Sequence, residues 1–138
     1  MSDKIDHPNH YTQYGVEVID LTRYLDFCLG NIVKYVLRAP YKNGEEDLDK
    51  ALKYTEFAKH GPQTVFMHPE NICHFTRNAH RFLTSCDLVT VAMRDLICAI
   101  VEHAVAGELH SAYFYDRLAS IILKMKEGYN DTRREDKE

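Results

Sequence analysis

The segment DLVTVAMRDLICAIVEHAVAG, residues 87–107, is apolar on nearly all sides and constrains the fold more than any other stretch. A helix hydrophobic all round has to be buried, so the rest of the chain must supply its covering. Its valines suit a strand, but its length favours a helix, and Gly107 suits a C-cap. The covering elements read as helices too. Val18, Ile19, Leu21 and Leu25 place a first helix over 16–25, and DFCLG, residues 26–30, reads as a break. Ile32, Val33, Val36 and Leu37 give the core face of a second helix over 31–38. Pro40 disfavours helical geometry at Ala39 and ends it.

A third helix over 45–59 begins with acids that suit the positive end of its dipole. Leu48, Ala51, Leu52 and Thr55 form one face, and Asp47, Lys50, Tyr54 and Phe57 another. KHGPQTVFMHPEN is the clearest linker, and Pro69 is placed as the first residue of a fourth helix. Ile72, Phe75, Ala79 and Phe82 continue that helix. A last helix uses Leu109, Tyr113, Ile121, Ile122 and Met125 and is expected to stop near Gly128. The reading is an all-α protein, a compact bundle of about six helices with an irregular N-terminal arm. Residues 1–60 form a first unit, 61–128 a helical extension packed on it, and 129–138 a disordered charged tail.

The 138 residues, 45% hydrophobic, suffice for one domain with a sizeable core. The formal net charge of −4 argues against broad nucleic-acid binding. No run approaches the roughly 18 apolar residues of a membrane span, and the polar start lacks a signal-peptide core. Cysteines 28, 73, 86 and 98 are widely spaced without a CxxC pair, and read as reduced cytosolic core thiols. Phosphate-loop, dinucleotide-binding and nucleophile-elbow motifs are all missing.

Three sets of side chains are candidates for chemistry. Asn31, Lys34, Tyr35 and Arg38 share the face of the second helix opposite its core stripe, and Lys42 follows. No acid interrupts residues 27–44, so the cations are positioned for an anion, which Arg can grip through two oxygens. The bland alternative is a solvated basic face. Glu17 with Asp20, and Glu46 with Asp49, are i, i+3 carboxylate pairs that can hold Mg²⁺ if their helices face each other. They resemble the acid pairs of all-α nucleotide pyrophosphohydrolases. The plainer reading gives Glu46 and Asp49 to the helix dipole. In HPNHY, His7, His10 and Tyr11 sit on the arm, where imidazoles can donate to a phosphate or a base edge. Two histidines are too few for a metal site.

Taken together, His7, Pro8, His10 and Tyr11, then Glu17, Ile19 and Asp20, then Phe27, Gly30, Asn31, Lys34, Tyr35 and Arg38, then Lys42, Asp47, Leu48, Lys50, Ala51 and Tyr54, resemble a family of small tailed-phage proteins. The shared pattern is HPxHY, ExID, FxxGNxxKYxxR and DLxKAxxY, over residues 7 to 57. That family includes the deoxynucleoside-monophosphate kinase of short-tailed coliphages. The resemblance implies a nucleotide-handling protein in the cytoplasm of an infected bacterium, and a nucleoside-monophosphate kinase without a P-loop. Lys34, Arg38 and Lys42 would then neutralise phosphates, with Arg38, Lys34 and Asp20 catalytic. Tyr11 or Tyr35 would stack on the base, and His7 and His10 would close the arm. Glu17, Asp20 or Asp47 would hold Mg²⁺, and ATP or another nucleotide would be substrate. The alternatives are a Mg²⁺-dependent pyrophosphohydrolase, a non-catalytic sponge for a host-defence signalling nucleotide, and a helical assembly protein. The expected partners are a nucleotide and further copies of the chain in a homo-oligomer, without membrane or nucleic acid.

Overall fold

Asp26 sets the start of the first long helix. Its carboxylate accepts the Leu29 backbone N–H at 2.8 Å, a side-chain N-cap. The computed structural model describes residues 14–61, 67–85, 88–106 and 112–137, with side chains at 85 and 130–137 excepted. Among these, six α-helices and one 3₁₀ turn form: α1 (Ile19–Thr22), α2 (Phe27–Arg38), the 3₁₀ turn (Ala39–Tyr41), α3 (Glu45–His60), α4 (Pro69–Ser85), α5 (Val91–Val105) and α6 (Ala112–Lys137). The all-α expectation holds, and no strand occurs among the described residues. No described helix is long and apolar enough to cross a membrane.

Local chemistry explains where boundaries fall. The expected helix over 16–25 is a four-residue turn of helix, because Asp26 starts α2 at Phe27 and the chain must reverse before it. DFCLG is therefore not a break but a cap and a first turn. Gly30 lies inside α2, where an added Cβ would sit 3.5 Å from the Thr22 carbonyl oxygen, so α1 and α2 approach closely there. Ile19, expected in the core, is 52% exposed, whereas Val18 and Leu21 are buried. Pro40 ends α2 as expected, and the 3₁₀ turn leads into Gly44, whose φ of +54° favours glycine. Chain reversal over 39–44 folds α3 back onto α2.

Packing then proceeds outward from this pair. α6 lies on α3, α5 packs on α6, α4 and α2, and α4 also covers α1. Ile32, Val33, Val36 and Leu37 from α2, Leu48 and Ala51 from α3, and Leu96, Ile97 and Ile100 from α5 are all buried in one core. His103 stacks on Phe114 with centroids 4.0 Å apart and ties α5 to α6. The α5 segment was expected to be covered on all sides. Instead Thr90 caps it through the Met93 N–H, and Val91 and Val105 are 74% and 67% exposed. Its C-terminus is closed by the Ala106 N–H donating to the Glu102 carbonyl, and Gly107 lies outside the described residues. α6 does not stop at Gly128 but continues to Lys137, so the backbone over 129–137 is helical rather than a loose tail. Each added residue of an established helix gains a hydrogen bond, which carries α6 past its last core contact.

Two predictions follow from these elements. An added Cβ at Gly128 meets nothing within 4 Å among the described residues, so Gly128→Ala should stabilise the chain by about 0.5–1 kcal/mol in urea unfolding. Tyr115 is 1% exposed, and its hydroxyl is pushed far above the ordinary tyrosine value by burial, then by the Asp26 and Cys28 charges. Burial and the Asp47 carboxylate raise Tyr129 as well. The folded chain then holds protons that the unfolded chain releases above about pH 10. This contribution to stability is fully present below that pH and is lost as pH rises beyond it. Urea midpoints should fall between pH 9 and pH 11, and Tyr115→Phe should flatten the fall.

Candidate functional site

The site begins with a buried ion pair. Asp47, in the first turn of α3, is fully buried, and its Oδ2 meets Arg38 Nε at 3.3 Å. The same oxygen accepts the Asn43 backbone N–H at 3.2 Å, while Oδ1 has no hydrogen-bond partner among the described residues. The Arg38 side chain is 12% exposed. Only its Nε is committed, so its two terminal nitrogens have no acceptor among the described residues. A carboxylate behind Nε thus fixes the guanidinium and leaves its fork available for an anion.

Around that fixed group, α2 and α3 assemble an aromatic surface edged with cations. Tyr35 of α2 stacks on Tyr54 of α3, 5.9 Å between centroids with rings 17° apart. Phe27 and Phe57 meet Tyr54 edge-on at 5.8 and 5.7 Å, and are themselves 75% and 53% exposed. Lys34 Nζ, Arg38 Cζ and Lys50 Nζ lie 4.6, 5.4 and 5.5 Å from the Tyr35 ring centre. Lys53 Nζ lies 5.3 Å from the Phe57 ring. Each such contact contributes about 0.5–1 kcal/mol at an exposed site. Lys50 is offset by Glu46 at 3.6 Å on an exposed i, i+4 pair, as its spacing suggests. Lys34 has no ion pair among the described residues. Arg38 and Lys50 each have a carboxylate beside them, so Lys34 supplies the uncompensated positive charge that an anion at this ring would meet.

The sequence-derived residues divide clearly. Lys34, Tyr35 and Arg38 converge. Asn31 stands beside them, but its amide donates to the Phe27 carbonyl at 2.8 Å. With Lys34 it lines a shallow cleft of about 210 Å³ that reaches Thr22 and Asp26. Lys42 is exposed beyond the 3₁₀ turn and does not join the Tyr35 cluster among the described contacts. His7, His10 and Tyr11 lie outside the described residues. The arm does enter here: Tyr14 donates its hydroxyl to the Leu37 carbonyl at 2.6 Å and packs edge-on against Tyr41 and Phe82.

The expected metal ligands are not brought together. Asp20 accepts the Glu17 N–H at 3.1 Å, so it caps its own turn, and its carbonyl accepts from Asn78. Glu17 precedes α1 and Asp20 lies in it, and α1 packs on α2 and α4, whereas Asp47 stands on α3 and is committed to Arg38. Glu46 pairs with Lys50, and Asp49 pairs with Lys126 at 2.7 Å. Among the described residues no group of three or more His, Cys, Asp or Glu is arranged to hold a metal ion. Five residues of this face went unassigned as site residues in the sequence: Phe27, Lys50, Lys53, Tyr54 and Phe57, Lys50 being read as the partner of a carboxylate and Tyr54 as a packing residue. The helical spacing of Lys53 from Phe57 was the available signal, while Phe27 was obscured by the apparent break over 26–30.

Comparison with known proteins bears on this same segment. Residues 5–56 match DUF3310, a protein family of unknown function. The Gene 1.7 protein of Enterobacteria phage T3 is 39% identical over 61 residues, covering 38% of this chain and 37% of the relative. The chain therefore spans little more than a third of the curated relative it matches. No solved structure matches. These similarities support kinship with small phage proteins.

The geometry separates structural from ligand-facing cations. Arg38→Ala leaves Asp47 buried without a counter-charge and should cost about 3–5 kcal/mol in urea unfolding. Lys34→Ala should change stability by no more than about 0.5 kcal/mol.

Proposed function

We propose that the cation–aromatic face of α2 and α3 binds a nucleotide, and that the chain is a nucleoside-monophosphate phosphotransferase of the dTMP/dGMP kinase type. The observation that carries the binding reading is the convergence of Lys34, Arg38 and Lys50 on the Tyr35 ring, beside the Tyr54 stack. A nucleotide offers an anion and a flat aromatic group together. The cations suit its phosphates, and the exposed rings suit its base, since base stacking on aromatic side chains stabilises by about 1–3 kcal/mol.

The Arg38 fork, braced by Asp47, is the group suited to spread phosphoryl charge. Lys34 adds a mobile ammonium beside it. Tyr14 anchors the start of the described chain at the α2 C-terminus, and Tyr11 lies three residues before it in the sequence. His7 and His10 follow on the same arm and can close over bound ligand. Magnesium carried on nucleotide phosphates needs only one or two protein carboxylates, so it calls for no dedicated acidic cage. The kinase reading draws on the likeness of residues 7–57 to the phage kinase family and places the protein in the infected host cytoplasm.

Two measurements test the two levels. In a thermal-shift panel of dTMP, dGMP and ATP, at least one nucleotide should raise the melting temperature. Lys34→Ala should weaken that ligand about tenfold while leaving the free protein's melting temperature unchanged. No shift with any nucleotide contradicts the binding reading. Chromatography of a mixture with ATP, Mg²⁺ and the bound monophosphate should then show diphosphate. Binding without product removes the kinase reading and leaves a sequestering protein.

A further inference from the structure

Gly128 stands in the interior of α6, where glycine weakens a helix unless something requires it. Its φ is not positive, and an added Cβ would meet nothing within 4 Å among the described residues. Neither the backbone conformation nor the packing calls for glycine here. The open space belongs to a cavity of about 440 Å³ between α6, the 3₁₀ turn and the start of α5. That volume lies within the roughly 300–1,000 Å³ of small-molecule sites. A side chain at position 128 would stand in the cavity, so glycine leaves its floor open to close approach.

The walls select the kind of ligand. Lys124 with Gly128, and Met125 with Tyr129, are i, i+4 pairs on one side of α6, and Pro40 lines the cavity from the 3₁₀ turn. Tyr129 packs on Gly44, 3.7 Å from the position a Cβ would take, which fixes its ring. That ring, with Met125 and Pro40, offers apolar surface suited to an aromatic body. The polar groups are donors. Lys124 is exposed and has no ion pair among the described residues. Thr90 Oγ accepts the Met93 N–H, which leaves its own proton to donate. The Val91 and Ala92 N–H groups, in the first turn of α5, have no acceptor among the described residues. No acid lines the cavity. Donors around an apolar slot suit an anion carried on a flat body.

We propose that this cavity is a second ligand site, for a small planar aromatic anion. The ring system lies over Gly128 against Tyr129, and its carboxylate or phosphate meets Lys124 and the start of α5. An aryl carboxylate and a nucleoside monophosphate both carry this chemistry. None of the lining residues belongs to the α2–α3 face, so the inference does not rest on nucleotide binding there, and either can fail without the other.

The test uses the full chain and anilinonaphthalene sulfonate, a fluorescent aromatic anion. The dye should bind saturably, with a dissociation constant of about 100 μM or tighter. Gly128→Leu should remove one bound dye per chain while the urea midpoint stays at or above the native value, since leucine is a good helix former. Lys124→Glu should weaken that same dye about tenfold or more. Lys34→Ala should leave it in place. Benzoate and dTMP, each added to the dye-loaded Lys34→Ala chain, separate the two sources, and displacement by either supports the site and names its ligand class. Displacement by neither at about 10 mM leaves an adventitious dye site only and overturns the inference. So does dye binding indifferent to both Gly128→Leu and Lys124→Glu. If Gly128→Leu loses its cooperative urea transition, Lys124→Glu decides alone.

Discussion

A carboxylate with no exposure, paired to one arginine, is the interaction on which the rest of this structure depends. Asp47 sits where α3 begins and Arg38 where α2 ends, so their contact fixes how the two helices meet across the turn at 39–44. Taking both charges out of water carries a desolvation cost, and a well-packed apolar pair in their place would often be as stable. The pair is better understood through what it positions. Asp47 occupies Arg38 Nε only, and the guanidinium is delivered to the Tyr35 ring with no acceptor on its fork among the described residues.

The helices outside the family-like segment brace this arrangement. α6 lies along α3, where Lys126 pairs with Asp49, and the hydrogen bond and charge of Asp49 raise the Lys126 ammonium above its ordinary value. Lys59 pairs with Asp116 at 2.8 Å further along the same contact. Tyr129 covers Gly44 at the start of α3, 3.7 Å from the position a Cβ would take. The extension thus presses on the helix that carries Asp47, Lys50 and Tyr54. The similarity covers residues 5–56, yet the surface it carries is held in shape by residues beyond 90.

Much of the fold was legible because periodicity and punctuation agreed. Pro40 ended α2, the acid-rich start of α3 and Pro69 at the head of α4 fell where helix-terminus chemistry puts them, and Phe75, Ala79 and Phe82 were buried as their spacing implied. What failed did so for definite reasons. DFCLG looked like a break because Asp and Gly are turn residues, but Asp26 is also an N-cap and Gly30 serves a close helix approach. The α5 segment is rich enough in valine and alanine to hide that Val91 and Val105 face outward, because periodicity weakens when both faces are apolar. Tyr113 was placed with the core and is exposed, because its neighbours Phe114 and Tyr115 take the buried positions at the start of α6. In the site, Lys34, Tyr35 and Arg38 were legible as one helix face. Asp47 was not legible as their support, since its burial depends on how α3 docks against α2.

The most direct test of the central claim is an amide NMR titration of the chain with dTMP, dGMP and ATP in turn. Saturable shifts concentrated in residues 31–38 and 47–57 are the predicted result, because those backbones carry the cations and rings that would meet the ligand. Shifts confined to α5 and α6, or none at millimolar nucleotide, would contradict it.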